Sequence, residues 1–342
     1  MPALLDHEKK TEKTRSFNGL LVRQMLLPLT CTFALLCLLI YGNEALGSLC
    51  GLHLVLTSPG VYLVDNSQSG GMTIKYYGFL LLVGMVGALI SALALAKTFK
   101  KSGEQVLFMM SLSCLGGALG ARLYYVLLSL PRFLADPPSI FRLGEGGLTI
   151  HGCIIGLALS LFLYSRLKWQ SFLQNLDFIV INLPLAQAIW RLGNFYNFEA
   201  YGSPLSENAL LKVFIEPRFR TRATAQVSFF QPAFLFELVW DLALYLCLVR
   251  LVTIARGRDL DVQARGGYIT CLYLWCYSLG RLLIESIRLD GFALNINGQT
   301  YLPSMSVPTV VSLTILAISS VLLYKGYIVK DRGSQNETVK SV

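Results

Sequence analysis

Arg191-Leu-Gly-Asn194 interrupts a largely apolar run over 176–195, and Arg281, Glu285 and Arg288 punctuate another over 267–288. Burying an ionisable side chain in lipid costs a few kcal/mol or more, so such residues mark a functional site by default. Arg281, Glu285 and Arg288 are spaced i, i+4, i+7 and share one helical face. Flanking guanidiniums hold a carboxylate ionised and can present a fork to a phosphate. A structural ladder of ion pairs, with Arg288 snorkelling, meets the same spacing. Arg191 and Asn194 are i, i+3 neighbours, followed by Asn197, Glu199 and Gly202; the first two offer charged and neutral donors on one face. Helix-end anchoring to lipid is the bland reading of that pair. His151, in Gly146-Gly-Leu-Thr-Ile-His-Gly-Cys-Ile-Ile-Gly156, could serve as a general base or as a packing residue.

The elements that must position these groups are membrane helices. The chain is 54% hydrophobic and 14% charged, against about 25% charged for a soluble domain. Its apolar runs are continuous, which favours helices over a barrel. The fold class is therefore an all-α polytopic membrane protein with about eight spans, near 24–42, 77–96, 106–130, 147–165, 176–195, 232–254, 267–288 and 305–325. The first span reads as an anchor rather than a cleaved signal peptide, because its polar leader is long and no small-x-small site follows. The apolar stretch 46–64 is interrupted by Pro59 and Gly60 and reads as lying on the outer surface. Gly116/Gly120 and Gly152/Gly156 are small-xxx-small pairs, read as helix-packing sites. Eight cysteines fall mostly in apolar runs without metal spacing, and His7, His53 and His151 are the three histidines. Neither a disulfide framework nor a zinc site is expected.

The net charge of +9 sits in loops, with no basic–aromatic interleaving for nucleic acid. Lys9, Lys10, Lys13, Arg15 and Arg23 precede span one; Lys97, Lys100 and Lys101 follow span two; Arg166 and Lys168 follow span four. Arg250, Arg256, Arg258 and Arg265 separate spans six and seven, and Lys325, Lys330 and Arg332 follow the last. With both termini inside, these groups are all cytoplasmic. Lys75, Arg132 and Arg142 then fall outside, as does the long segment 196–231 with Lys212, Arg218, Arg220 and Arg222. That segment reads as an external head contacting lipid or substrate. The same topology gathers Tyr77, Arg122, His151, Arg191, Asn194, Glu237, Arg281, Glu285 and Arg288 at the outer side, predicting one polar chamber open to the outer leaflet.

Together the motifs resemble the prolipoprotein diacylglyceryl transferases of bacterial inner membranes over about residues 71–325. The resemblance rests on Tyr-Tyr77-Gly, Gly-Ala-Arg122-Leu-Tyr-Tyr125 and Gly-Gly-Leu-Thr-Ile-His151-Gly. It continues through Arg191-Leu-Gly-Asn194-Phe-Tyr-Asn197-Phe-Glu199-Ala-Tyr-Gly202 and Tyr277…Arg281…Glu285…Arg288. It implies transfer of diacylglyceryl from phosphatidylglycerol to the lipobox cysteine of a preprolipoprotein, with no metal or soluble cofactor. It further implies catalytic roles for His151, Arg191 and Arg281. Tyr77, Arg122, Asn194, Glu199, Gly202, Glu237, Tyr277, Glu285 and Arg288 would bind substrate or support the site. Residues 1–70 are an addition to the family's seven-span core, which here occupies 71–330, with a cytoplasmic tail at 331–342.

The sequence departs from the family pattern in three places. The family's His-Pro-Ser/Thr-Gln-Leu-Tyr-Glu segment reads Gln231-Pro-Ala-Phe-Leu-Phe-Glu237. Its Asn-Gly-Glu-…-Gly-Arg segment reads Asn197-Phe-Glu199-Ala-Tyr-Gly202-Ser203, without one Gly and the Arg. Its Arg-x-Pro-Asp is Arg288-Leu-Asp290-Gly. These changes bear on acceptor recognition, and they leave open a paralogue with another acceptor or a non-catalytic lipid-binding protein. A transporter fits less well, because the buried charges gather toward one face.

Overall fold

The computed structural model describes residues 27–52, 54–57, 76–142, 146–220, 224–257, 266–289, 293–296 and 299–339. His7, Lys9, Lys10, Lys13, Arg15, Arg23, His53, Lys75, Arg222, Arg258, Arg265 and Asp290 lie outside the described residues. So does most of the stretch that joins the first two helices.

The helices are α1 (Leu27–Cys50), α2 (Tyr76–Leu95), α3 (Gly103–Leu128), α4 (Leu130–Ala135), α5 (Ile150–Leu167), α6 (Phe172–Val180), α7 (Leu183–Tyr196), α8 (Ala233–Gly257), α9 (Tyr268–Glu285) and α10 (Val307–Val339). Strands β1 (Leu54–Thr57), β2 (Leu211–Phe214) and β3 (Phe229–Phe230) form one sheet in that order, and β4 (Ala293–Ile296) pairs with β5 (Gln299–Ser306). Among the described residues, seven helical stretches are long and apolar enough to cross a membrane. The protein is a multi-pass membrane protein. The run at 267–288 also folds as a helix, α9, but it is not among the seven, since it carries Arg281 and Glu285. Three boundaries differ from the expected spans, and at the last of them α10 runs on to Val339 instead of ending near 325. The first helix runs on to Cys50 instead of ending near 42. The fifth expected span divides at Ile181–Asn182 into α6 and α7, with Pro184 in the first turn of α7. Proline has no N–H to donate and its ring clashes with the carbonyl four residues back, so a continuous helix is disfavoured there.

The chain divides into two compact units, Met1–Ala88 with Ile181–Asp261 and Tyr268–Val342, and Leu89–Val180 with Val262–Gly267. In the second, α3 and α5 make the main packing. A Cβ at Gly120 would stand 2.4 Å from the Gly152 carbonyl oxygen, and one at Gly156 would stand 2.1 Å from that of Gly116. The two small-xxx-small pairs thus face each other, and larger residues would force the backbones apart. Ser102 opens α3 with a capping box, its hydroxyl accepting from the Gln105 N–H while Gln105 Oε1 accepts from its own. Just before it, Lys101 Nζ donates to Asn175 Oδ1 at 2.5 Å beside the Phe178 ring, and burial lowers its pKa from the usual 10.5 to about 8. On the sides away from these contacts Leu119, Leu123, Ile154 and Leu159 are exposed, the pattern of helices solvated by lipid.

The first unit holds α1, α7 to α10 and the three-stranded sheet. The segment 196–231 forms a head with a small core of Phe198, Ala200, Val213, Ile215 and Phe230, joined by Phe234 from the first turn of α8. Two of its basic residues are turned to structural use. Lys212 is buried, its ammonium over the Phe229 ring and bonded to the Glu207 carbonyl; Arg220 Nε donates to Ile215 O at 2.8 Å. Arg218 stays exposed, paired with Glu216.

Helix α1 is stitched to this head. Asn43 Nδ2 donates to Leu211 O at 2.7 Å while its Oδ1 accepts from Leu211 N at 2.8 Å, and Asn43 O accepts from Leu210 N at 3.1 Å. That side chain acts as a neighbouring strand would, and β1 then continues the pairing with β2 in parallel. Gly47 makes this approach possible: a Cβ there would lie 1.9 Å from Asn208 O and 2.6 Å from Leu210 N. Gly47→Ala is expected to destabilise the protein by about 1–3 kcal/mol, as overpacking does. The measurement is the unfolding midpoint in detergent, where an unchanged value would contradict the contact.

Candidate active site

Two helices bring the charged residues together where the Trp240 indole of one fills the space left by a glycine of the other. On α9, a Cβ at Gly280 would stand 2.1 Å from Trp240 Nε1 of α8. Trp240 lies across that gap and donates from Nε1 to Cys276 O at 3.1 Å. Glu237 sits one turn before Trp240 on α8, and Arg281 directly follows Gly280 on α9. Helix α7 joins the pair through Gln187, whose Oε1 accepts from Tyr273 Oη at 2.9 Å in a buried contact. That helix carries Arg191 on the same side.

The outcome is a carboxylate with three guanidiniums around it. Glu237 Oε2 lies 2.8 Å from Arg191 Nη1, and Oε1 lies 2.5 Å from Arg281 Nη1 and 3.0 Å from Arg288 Nη1. Arg281 Nη2 also reaches Glu285 Oε2 at 2.5 Å, closing the expected i, i+4 pair. Glu285 Oε1 accepts from Ser306 Oγ at 2.5 Å. Asp241 Oδ2 stands 3.9 Å from Arg191 Nε. Three arginines therefore meet three carboxylates, so the cluster is charge-balanced when all six are ionised. The carboxylates are only 3–5% exposed at their side chains, while the arginines are 10–14% exposed. The arginines are thus the less deeply buried partners of the cluster. A guanidinium has five N–H donors, so donors remain for a further anion.

Arg191, Glu237, Trp240, Asp241, Tyr277, Gly280, Arg281 and Ile284 line a cleft at this point. Tyr277 lies within electrostatic reach of Arg191 and Arg281, and Tyr77, at the start of α2, within reach of Arg191 and Glu199. Asn194 is buried on α7, and its carbonyl accepts from Glu199 N at 2.9 Å. Glu199 is exposed. Gly202 donates its N–H to Gln231 O at 2.8 Å and bridges Arg288, tying the head to the end of α9.

Glu199 is flanked by two left-handed residues, Phe198 and Ala200, both at φ 54°. Neither is glycine, so each holds this turn with a side chain that resists it. That conformation costs about 1–2 kcal/mol. The Phe198 ring offsets it by burial in the head core and by stacking on Phe219 at 4.5 Å.

Arg122 and His151 belong to the other unit. Arg122 spends its guanidinium on backbone carbonyls: Ser139 at 2.7 Å, Ile140 at 2.9 Å, Gly146 at 2.8 Å and Gly147 at 3.1 Å. It organises the loop that leads into α5. Thr149 then caps α5 with its hydroxyl and donates its N–H to Ala121 O at 3.2 Å. His151 stands exposed in that first turn, its ring 6.3 Å from the Tyr124 ring.

Asp241 and Trp240 were not among the residues expected at the site. The signal for Asp241 was present, since it stands four residues after Glu237 inside an apolar run. For Trp240, an aromatic in an apolar helix carries none. Among the described residues no group of His, Cys, Asp and Glu is arranged to hold a metal ion.

The order of these motifs along the chain has clear counterparts. Residues 67–325 match the family described as prolipoprotein diacylglyceryl transferase. A phosphatidylglycerol–prolipoprotein diacylglyceryl transferase of Thermotoga maritima is 41% identical over 226 residues, 65% of this chain and 73% of that protein. Proteins of the same name from Gloeobacter violaceus and Synechococcus elongatus are 37% and 33% identical. They cover 68% and 78% of this chain, and 83% and 87% of their own lengths. Helix α1 and strand β1 precede the matched residues. This chain belongs to the prolipoprotein diacylglyceryl transferase family.

Proposed function

We infer that this enzyme moves the diacylglyceryl group of phosphatidylglycerol onto the lipobox cysteine thiol of a prolipoprotein and releases glycerol phosphate. A new bond forms between the cysteine sulfur and the glycerol carbon of the lipid. The bond from that carbon to the phosphate oxygen breaks, and the electron pair leaves on the phosphate. The observation that carries the assignment of roles is the gathering of three guanidiniums around Glu237, two of them lining the cleft. Arg281 and Arg191 bind the lipid phosphate there and neutralise the charge that builds on its departing oxygen. Glu237, with Asp241 and Glu285, holds the arginines in place; Tyr77, Asn194, Tyr277 and Arg288 shape the same pocket. His151 takes the proton of the thiol, whose ordinary pKa of about 8.5 leaves little thiolate at neutral pH. Arg122 fixes the loop that sets His151 at the head of α5.

Residues 1–70 form an added anchor and connector, 71–330 the transferase core with a head at 196–231, and 331–342 a tail. The protein sits in the bacterial inner membrane with this site toward the outer leaflet. The basic residues beside the spans support that orientation. A second reading, a different acceptor, draws on Gln231, whose Nε2 donates to Ile40 O of α1 at 2.8 Å. The head segment's last residue before the Glu237 helix is thereby tied to an element outside the family match.

The test is the purified protein in phosphatidylglycerol vesicles with a lipobox peptide. Glycerol phosphate should appear in equal amount to the thioether-linked peptide. Lipid binding with no release would favour the second reading.

A further inference from the structure

Beside the charged cleft lies a second cavity of about 90 Å³, lined by Leu29, Thr30 and Phe33 of α1, Trp240 of α8, and Trp275, Cys276 and Leu279 of α9. We propose that this cavity receives one acyl chain of the phosphatidylglycerol donor, and that α1 exists in part to complete it. The proposal rests on the reading that the Arg281 cluster holds the lipid phosphate.

The wall is apolar, and the polar atoms of its side chains are used elsewhere. Trp240 Nε1 donates to Cys276 O, Trp275 Nε1 to Ser320 Oγ at 3.0 Å, and Thr30 Oγ1 to Leu27 O at 2.9 Å. With no polar group to hold it, water has no reason to occupy such a space, whereas hydrocarbon fits. The location selects which hydrocarbon. Trp240 lines both this cavity and the charged cleft, so a single indole separates the two. Along α9 the cavity residues stand two to six positions before Arg281, about 3–9 Å down the helix axis. A lipid whose phosphate rests on Arg281 has its ester-linked chains at that distance and in that chemistry. Phe33 completes the wall from α1, its ring 5.9 Å from that of Trp240 and edge-on to it.

Leu29, Thr30 and Phe33 precede residues 67–325, so this slot is an addition of this chain to the family core. Such a slot measures chain length. Filling a hydrophobic pocket by one or more methylenes changes discrimination by about tenfold or more.

The experiment compares transfer from dioctanoyl and dioleoyl phosphatidylglycerol by the full-length enzyme and its Thr30→Phe and Phe33→Ala variants. Thr30→Phe should lower the long-to-short ratio of kcat/KM about tenfold, and Phe33→Ala should not lower it. Wild-type ratios in both variants would overturn the slot. Arg281→Ala in the same assay separates the two readings, since loss of the phosphate site lowers turnover of both lipids alike. Wild-type turnover there overturns the phosphate reading while the chain-length ratio still reports on the slot. Should Thr30→Phe fail to fold, phosphatidylglycerol bearing a diazirine on one acyl chain is applied to the wild-type protein. It should label the peptide containing Leu29–Phe33, with competition by unlabelled phosphatidylglycerol and not by phosphatidylcholine. Equal competition by both lipids means bulk lipid fills the space and overturns the proposal.

Discussion

Arg281→Ala is expected to slow diacylglyceryl transfer by about 10²–10³-fold, the usual cost of removing one donor from a developing oxyanion. The loss should fall mainly on kcat, because negative charge builds on the departing phosphate oxygen as the transition state is reached and is absent from that oxygen in the bound lipid. The fold should survive the change. Glu237 keeps Arg191 and Arg288, and Glu285 keeps Ser306, so no buried carboxylate is left without a partner. Arg281→Lys should recover part of the rate: it restores the charge without the planar fork that spans Glu237 and Glu285. Glycerol phosphate release from phosphatidylglycerol vesicles measures both variants, and wild-type turnover in the alanine variant would remove Arg281 from the mechanism.

Glu237→Gln should act on stability instead, lowering it by about 3–5 kcal/mol, as breaking a buried ion pair does. Glutamine keeps the shape, but its one carbonyl oxygen must replace two carboxylate oxygens shared among three guanidiniums. Its amide group also points donors at donors. The unfolding midpoint in detergent reads the loss. Added phosphatidylglycerol gives a sharper readout, since its phosphate can supply the negative charge the variant lacks. The lipid should raise the midpoint of Glu237→Gln more than that of the unaltered enzyme. An equal rise would mean the anion does not share the guanidiniums with Glu237.

Much of this was readable from the chain. Helices follow from long apolar runs, because a backbone in lipid must satisfy its own hydrogen bonds. The Arg281–Glu285 pair follows from a spacing of four, and the four packing glycines from theirs, since helical periodicity fixes which residues share a face. Arg191, Glu237 and Arg281 declared themselves by being charged where lipid tolerates little charge. Pro184 was visible too, although the apolar character of 176–195 masked the break it causes.

Other features depend on what the chain meets from far away. Glu237 finds Arg281 and Arg288 across 44 and 51 residues, and Asn43 finds Leu211 across 168. No periodicity spans such separations. Arg122 reads as a charge available for a ligand until the carbonyls of Ser139, Ile140, Gly146 and Gly147 take its donors. Phe198 reads as a poor replacement for glycine until the Phe219 ring lies beneath it. The sequence by itself determined that this protein has membrane helices interrupted by arginines and carboxylates. Only the tertiary structure decided that one carboxylate gathers three of those arginines, because the partner of a buried charge is chosen by packing between helices, at Gly280 against Trp240 above all.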